Sequence, residues 1–307
     1  MERPADKRKV VGVGIAVLDQ LLLWRSTAEP VAGNRIVQVD MQGGGMIGTG
    51  LVAVTRLGVR TEFWGAVGSD WSAEMILDGL AAENVDTSQV RRMEGRTGPT
   101  VVVCVDQPTG ERHFLYFTGE LVWPGAIGSP ERLADAGCLL VDHTQTTAEL
   151  HAARDARRLG VPVVGDLEHI DDGTRGLLEC MDYAIVSESC ARSFGTGDDF
   201  REACRRIRSM GPGCVVVTLG ERGLAYLDGE EFGERPAFAV DVVDTTGAGD
   251  TFHGAFCAGL VEGFPFEKNL RFASAAAAMK CTRLGGRAGI PSRAEVLRFL
   301  EERDGDL

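Results

Sequence analysis

Apolar and polar positions along the chain switch between two periods. Val10–Leu23 is a long apolar, β-branched run and predicts a buried first strand. Arg35–Gln42 alternates and predicts a second strand. Gly43–Gly45 then opens a turn, and Thr49–Leu57 reads as a helix that stops at Gly58. A short strand at Glu62–Ala66 follows. The helix predicted over Ser72–Glu83 carries Met75, Ile76, Leu80 and Ala81 on one side. Thr100–Val105 and Arg112–Phe117 read as two strands of a hairpin, with Pro108 and Gly110 in the connection.

Beyond this hairpin, short apolar strands alternate with helices. Strands are predicted at Cys138–Val141, Val161–Val164, Ala184–Val186, Cys214–Thr218, Leu224–Leu227 and Phe238–Val243. Helices are predicted at Thr147–Leu159, in a polar stretch ending at Arg208, at Gly249–Glu262, at Leu270–Thr282 and at Arg293–Glu302. Alternation of this kind indicates an α/β fold: a doubly wound, mostly parallel sheet with helices on both faces. The Arg35–Gln42 strand and the hairpin do not fit the alternation and predict a small separate sheet. There is no internal repeat and no Pro-rich linker, so the expectation is a single domain over 1–307.

Composition narrows the function. The 307 residues are 44% hydrophobic and 25% charged, with a net charge of −13. That charge argues against nucleic acid and anionic membrane surfaces as general partners. It leaves phosphate ligands open, because backbone N–H groups bind phosphate without side-chain charge. Met1–Lys9 followed by Val10–Val17 has the outline of a signal peptide, but Asp19 interrupts the apolar run, and a buried strand is the reading taken. No stretch reaches the ~18 apolar residues of a membrane span. The eight cysteines form no C-x-x-C pair and read as reduced thiols, so a cytoplasmic location is expected.

The segment richest in chemistry is Asp241–His253, which reads Asp-Val-Val-Asp-Thr-Thr-Gly-Ala-Gly-Asp-Thr-Phe-His. A β-branched run leads into Asp244, Gly247-Ala248-Gly249 follows, and an apolar helix begins near Asp250. Small residues let backbone approach a ligand closely. The unpaired N–H groups and dipole of a helix start favour an anion there. Asp250 in that turn could take a proton from an attacking hydroxyl. The competing reading makes Asp250 a helix N-cap.

Asp244–Phe252 resembles the C-terminal signature of the PfkB, or ribokinase-like, carbohydrate kinases. The resemblance implies a small β lid over the sugar, here about 19–42 and 98–120. It implies that Gly247, Ala248 and Gly249 form the anion hole and that Asp250 is the catalytic base. Gly44-Gly45-Met-Ile-Gly-Thr49 resembles the family's sugar-binding signature, and Val11–Asp19 its first strand, whose Asp binds sugar hydroxyls. Thr218-Leu-Gly220 through Gly223 resembles the nucleotide-contacting turn. Arg283–Pro291 resembles the loop that closes the nucleotide site and a monovalent cation site. The implied ligands are ATP, Mg²⁺ and a K⁺ ion. Thr246, Gly249 and Gly286 are implied on the nucleotide side, and Asp244 and Thr246 at the cation. Within the family, Val240–His253 and Arg271–Pro291 look closest to the sulfofructose kinase and ketohexokinase members, which implies a ketohexose or a derivative phosphorylated at a primary hydroxyl.

Three positions depart from the pattern. Thr49 stands where Asn is usual. The N-x-x-E segment that supports Mg²⁺ reads Ser187-Glu188-Ser189-Cys190, leaving Glu188 as the candidate for that support. The sulfonate-binding residues of sulfofructose kinase are missing: their places fall at Tyr116, at Thr144 beside His143, and near Gly33–Asn34, so a neutral sugar is expected. Tyr116 and His143 thus become candidate substrate contacts. The alternatives are a nucleoside or aminoimidazole riboside kinase and a sugar sensor without catalysis. Gly43-x-Gly45-x-x-Gly48 also matches a dinucleotide motif, but an extra strand intervenes before it. Asp166 and His253 are further candidates for the crevice. Arg283 and Arg287 could reach phosphates or cap a helix. The alternating hairpin Thr100–Phe117 is a candidate dimer surface.

Overall fold

A computed structural model describes residues 9–25, 35–106, 112–117, 121, 125–144 and 146–303. Among them the central sheet has nine strands. In spatial order these are Glu231–Arg235, Leu224–Asp228, Cys214–Thr218, Tyr183–Ser187, Val163–Leu167, Cys138–Val141, Lys9–Val13, Arg60–Trp64 and Val85–Asp86. Pairing is parallel from Cys214–Thr218 to Val85–Asp86 and antiparallel for the two strands at the other edge. The inner strands are buried on both faces, which is why they are continuous apolar runs. Leu140 packs into the core on one face, with Ile47, Leu51 and Phe256. Its neighbour Leu139 packs into the other, with Trp64, Leu133 and Ile207. Each such side chain contributes about 1.5–3 kcal/mol by leaving water.

The predicted Val10–Leu23 strand is two strands. Lys9–Val13 joins the central sheet, and Val17–Arg25 joins a second sheet of four strands. The break falls at Gly14, whose φ of 151° suits glycine, and the Asp142 carboxylate fills the space a Cβ there would need. Asp142 also accepts a hydrogen bond from the Ile15 N–H at 2.8 Å, so the chain leaves the central sheet at this point. The second sheet runs Arg35–Gly44, Val17–Arg25, Thr100–Asp106, Arg112–Phe117. It is the separate sheet expected from the alternation. The hairpin connection 107–111 and residues 26–34 and 118–120 of the expected lid lie outside the described residues.

One predicted strand is absent. The segment Phe238–Val243 is not paired, and Val242 and Val243 are exposed. The edge position is taken instead by Glu231–Arg235, a polar strand that pairs antiparallel with Leu224–Asp228. Hydrogen bonding to an available edge outweighed side-chain propensity there.

The chain order reverses between Lys9–Val13 and Cys138–Val141, which are neighbours in the sheet. A crevice opens outside the carboxyl ends of strands at such a switch point. Two helices, Met46–Arg56 and Ala248–Glu262, pack closely across one face. They meet at glycines: a Cβ on Gly254 would lie 2.1 Å from the Gly50 carbonyl. This contact brings the starts of both helices to the same end of the sheet.

Candidate active site

The helix Ala248–Glu262 begins at the crevice. Its N-cap is Gly247, with φ 76° and no side-chain cap hydrogen bond. Asp250 is therefore a first-turn residue and not the cap, which removes the competing reading of the motif. A Cβ on Gly247 would lie 2.5 Å from the Gly286 carbonyl, so only glycine lets these loops touch. Asp244 fixes the approach to the turn. Its carboxylate accepts from the Thr246 and Gly285 N–H groups at 2.8 Å each, and its carbonyl accepts from the buried Lys280 ammonium at 2.8 Å. Burial alone would raise the Asp244 carboxyl, but those N–H groups and the Lys280 charge outweigh it and hold the pKa below the usual range.

Asp250 behaves in the opposite way. Burial first, then the nearby charges of Asp166, Glu168 and Asp19, push its pKa up to about 8, while His253 acts against the rise. The residue keeps partial exposure to the crevice. His253 is buried beneath it. Its Nδ1 lies 2.7 Å from the Gly249 carbonyl and 3.3 Å from Asp166 Oδ2, and its Nε2 lies 3.3 Å from the Ile185 carbonyl. Burial lowers the pKa of the ring. His253 thus ties the first turn to the strand Tyr183–Ser187. Asp166, at the end of Val163–Leu167, is buried, and among the described residues its Oδ2 accepts no hydrogen bond. Burial, reinforced by Asp142 and Glu168, raises its pKa well above the usual carboxylate range.

On one side of Asp250 lies a cleft of about 680 Å³, lined by Thr218, Gly220, Gly223, Ala248, Gly249 and Ala277 among others. The expected nucleotide-side residues Thr218, Gly220, Gly223 and Gly249 thus share one wall. Thr246 and Gly286 do not line it: a Cβ on Gly286 would lie 3.8 Å from Thr246 Cγ2 and 3.9 Å from Asp19 Oδ2. Gly286 belongs between the two halves of the site.

On the other side are Asp19, Gly44, Gly45 and Thr49. The Asp19 carboxylate lies over Gly44, 2.2 Å from where a Cβ would be. Burial lifts the Asp19 pKa to about 6, against the Arg287 charge. Gly45, with φ 84°, caps the helix Met46–Arg56 and accepts the Thr49 N–H at 2.8 Å. Thr49 is buried, and its Oγ1 accepts from Arg287 Nε at 3.4 Å. Tyr116, on the edge strand of the small sheet, is exposed; partial burial and the charges of Glu168 and Asp19 raise its pKa. His143 follows Cys138–Val141, stacks edge-on to His169 at 4.0 Å and places Nδ1 3.5 Å from the Asp166 carbonyl. Gly33–Asn34 lies outside the described residues.

Glu188 borders the turn Gly220–Arg222 beside the cleft. It is bound by Arg192 at 2.7 Å and Arg222 at 2.6 Å, which hold its carboxyl below the usual range. Cys190 is buried, and burial pushes its thiol up to about 12. Sequence reasoning did not place Arg287 beside Gly44 and Thr49; its only signal was its position in the loop Arg283–Pro291.

The model of the pfkB family of carbohydrate kinases matches residues 7–293. The chain is 28% identical to a ribokinase of Haemophilus influenzae, covering 81% of this chain and 84% of that protein. It is 26% identical to a ribokinase of Bacillus subtilis, covering 95% and 99%. The structure of Arabidopsis thaliana ribokinase complexed with ribose and ATP superposes with a TM-score of 0.87 at 26% identity, covering 96% of this chain and 99% of that one.

Proposed function

The chain belongs to the pfkB family of carbohydrate kinases, and from that premise we infer that it transfers the γ-phosphate of ATP to a primary hydroxyl of a small neutral sugar, with Asp250 as general base. A carbohydrate kinase is a phosphotransferase to a sugar hydroxyl, so the open questions are the residues and the sugar. The observation that carries the reading is the position of Asp250: in the first turn of a helix, between the cleft at Thr218–Gly223 and the Asp19–Gly44–Thr49 wall.

Asp250 removes the proton of the hydroxyl as that oxygen attacks the γ-phosphorus and the bond to the β-phosphate oxygen breaks, releasing ADP. A carboxylate held near neutral pKa is a stronger base than an ordinary one. The helix start at Gly247–Asp250 directs backbone N–H groups and a positive dipole end at the charge that develops. Mg²⁺ neutralises phosphate charge in such transfers. Asp166 would be its carboxylate partner: among the described residues its Oδ2 accepts no hydrogen bond and has only the His253 ring 3.3 Å away, whereas Cys190 offers no oxygen and Glu188 is occupied by two arginines. Potassium fits less well at Asp244, because both carboxylate oxygens and the carbonyl already have protein donors.

For the acceptor, the ribokinase relatives favour a pentose, and the sequence of Val240–His253 and Arg271–Pro291 favours a ketohexose. Both classes form five-membered rings with an exocyclic primary hydroxyl, and we propose such a furanose. The small sheet would serve as the lid, with Tyr116 over the sugar. Its two edge strands expose Val37, Val39 and Met41, and Leu115 and Phe117, which suits pairing of two copies. ADP release measured with D-ribose, D-fructose and adenosine as acceptors tests the reading. Turnover of a sugar is expected. Preference for adenosine would favour a nucleoside kinase, and no transfer to any acceptor would leave a sensor.

A further inference from the structure

Arg287 is a buried cation in the acceptor half of the site, and nothing above uses it. Its Nη2 donates to the Gly44 carbonyl at 2.9 Å and its Nε to Thr49 Oγ1 at 3.4 Å. Burial lowers its pKa to about 10, against the charges of Asp19 and Asp250. The glycine-rich segment is shaped around it. A Cβ on Gly43 would lie 1.9 Å from Nη1, and one on Gly48 would lie 2.7 Å from Nη2. The neighbouring Gly44 leaves the matching space for Asp19. So two glycines of the dinucleotide-like motif, Gly43 and Gly48, cradle a guanidinium instead, and Gly44 between them makes room for a carboxylate. The backbone of Arg287 is also fixed: Arg56 Nη1 donates to its carbonyl at 2.7 Å, and Glu83 holds Arg56 at 2.6 and 3.0 Å.

This arrangement supplies what the acceptor wall otherwise lacks. Asp19 as a carboxylate can only accept hydrogen bonds. Thr49 has one short hydroxyl, and it already accepts from Arg287. A sugar hydroxyl both donates and accepts, so its oxygen needs a protein donor. Among the described residues the guanidinium donates through Nε and Nη2, which leaves the two protons of Nη1.

We infer that Arg287 is the specificity-determining residue of the acceptor site, donating to a pair of adjacent hydroxyls whose protons Asp19 accepts. The inference rests on the sugar-kinase reading and deepens it. It names the substrate class as a neutral sugar with a vicinal diol. The Arg287 and Asp19 charges offset each other, and a sugar acid would instead meet Asp19, Asp166, Glu168 and Asp250.

The test uses Arg287→Gln and Arg287→Lys in the full chain, with saturating MgATP and D-ribose or D-fructose. A hydrogen bond to a charged group corresponds to about 10–100-fold in an equilibrium constant. The KM of Arg287→Gln for the accepted sugar should therefore rise by about that factor, with KM for ATP nearly unchanged and Arg287→Lys intermediate. Deleting one hydroxyl of the diol, as in 2-deoxy-D-ribose, should cost the wild type a similar factor and Arg287→Gln much less. An unchanged sugar KM, or an equal deoxy penalty in both proteins, overturns the inference while leaving the sugar kinase intact. If the wild type uses neither sugar, the functional reading has failed for them, and carboxyl NMR of the ligand-free protein decides the inference. Arg287→Gln should then raise the Asp19 midpoint above about 6, and an unmoved midpoint overturns it. If Arg287→Gln does not fold, Arg287→Lys carries both measurements.

Discussion

Replacing Asp250 by Asn should abolish most turnover and at the same time stabilise the protein. Folding carries the Asp250 pKa from 3.8 to about 8. Between those values the folded chain holds a proton that the unfolded chain has released, so wild-type stability falls as pH rises through this window. One pKa unit corresponds to about 1.4 kcal/mol, and about four units set an upper bound on the order of 5 kcal/mol at pH 8. Asp250 keeps partial contact with the crevice, and screening by water there reduces this to about 2 kcal/mol. Asn is isosteric and uncharged and removes the cost. Urea unfolding without nucleotide or Mg²⁺ should show Asp250→Asn with the higher midpoint at pH 8, a smaller gap at pH 5 and almost none near pH 4. Turnover should fall by about 10²–10⁴-fold, the usual range for loss of a general base. Equal midpoints at pH 8, or a gap that does not change with pH, would refute the electrostatic argument. Near wild-type turnover would remove Asp250 from catalysis. Stability given up at a reacting group is a common cost of function.

Three further outcomes follow from the same geometry. Lys280→Met should lower stability by about 1–3 kcal/mol in urea unfolding, because it removes a buried donor from the Asp244 carbonyl; an unchanged midpoint would mean the ammonium is not needed there. Asp19 must be ionised to accept sugar hydroxyls, so kcat/KM for the sugar should fall as pH drops through about 6, and a flat profile down to pH 5 would exclude that role. Light scattering should give twice the chain mass, and Val39→Glu on the exposed edge strand should return the monomer; a monomeric wild type would end the lid-pairing proposal.

The helix start at Gly247–Asp250 was legible because it is local. Gly247, Ala248, Gly249 and Asp250 are consecutive, and the geometry of one loop-to-helix turn places all four. The strands of the central sheet were legible for a similar reason: burial on both faces forces continuous apolar runs such as Val215–Val217. The errors fall where a distant partner decides. Val10–Leu23 reads as one strand, yet Asp142, 127 residues away from Ile15, breaks it at Gly14. Phe238–Val243 has strand propensity but no edge to pair with, while the polar Glu231–Arg235 has one.

The acceptor half shows the same division. From the sequence, Gly43, Gly45 and Gly48 are a motif without an object, and Arg287 is a loop arginine with two plausible uses. Folding carries Arg287 across the crevice to within hydrogen-bond distance of Gly44, 243 residues away in the chain. The sequence by itself determined the glycine-rich helix start, because four neighbouring residues set its backbone and put a carboxylate in the first turn. Only the tertiary structure decided what stands across the crevice, because that wall is built from Asp19, Gly44, Thr49 and Arg287, whose charges and spaces acquire meaning only when packing brings them together.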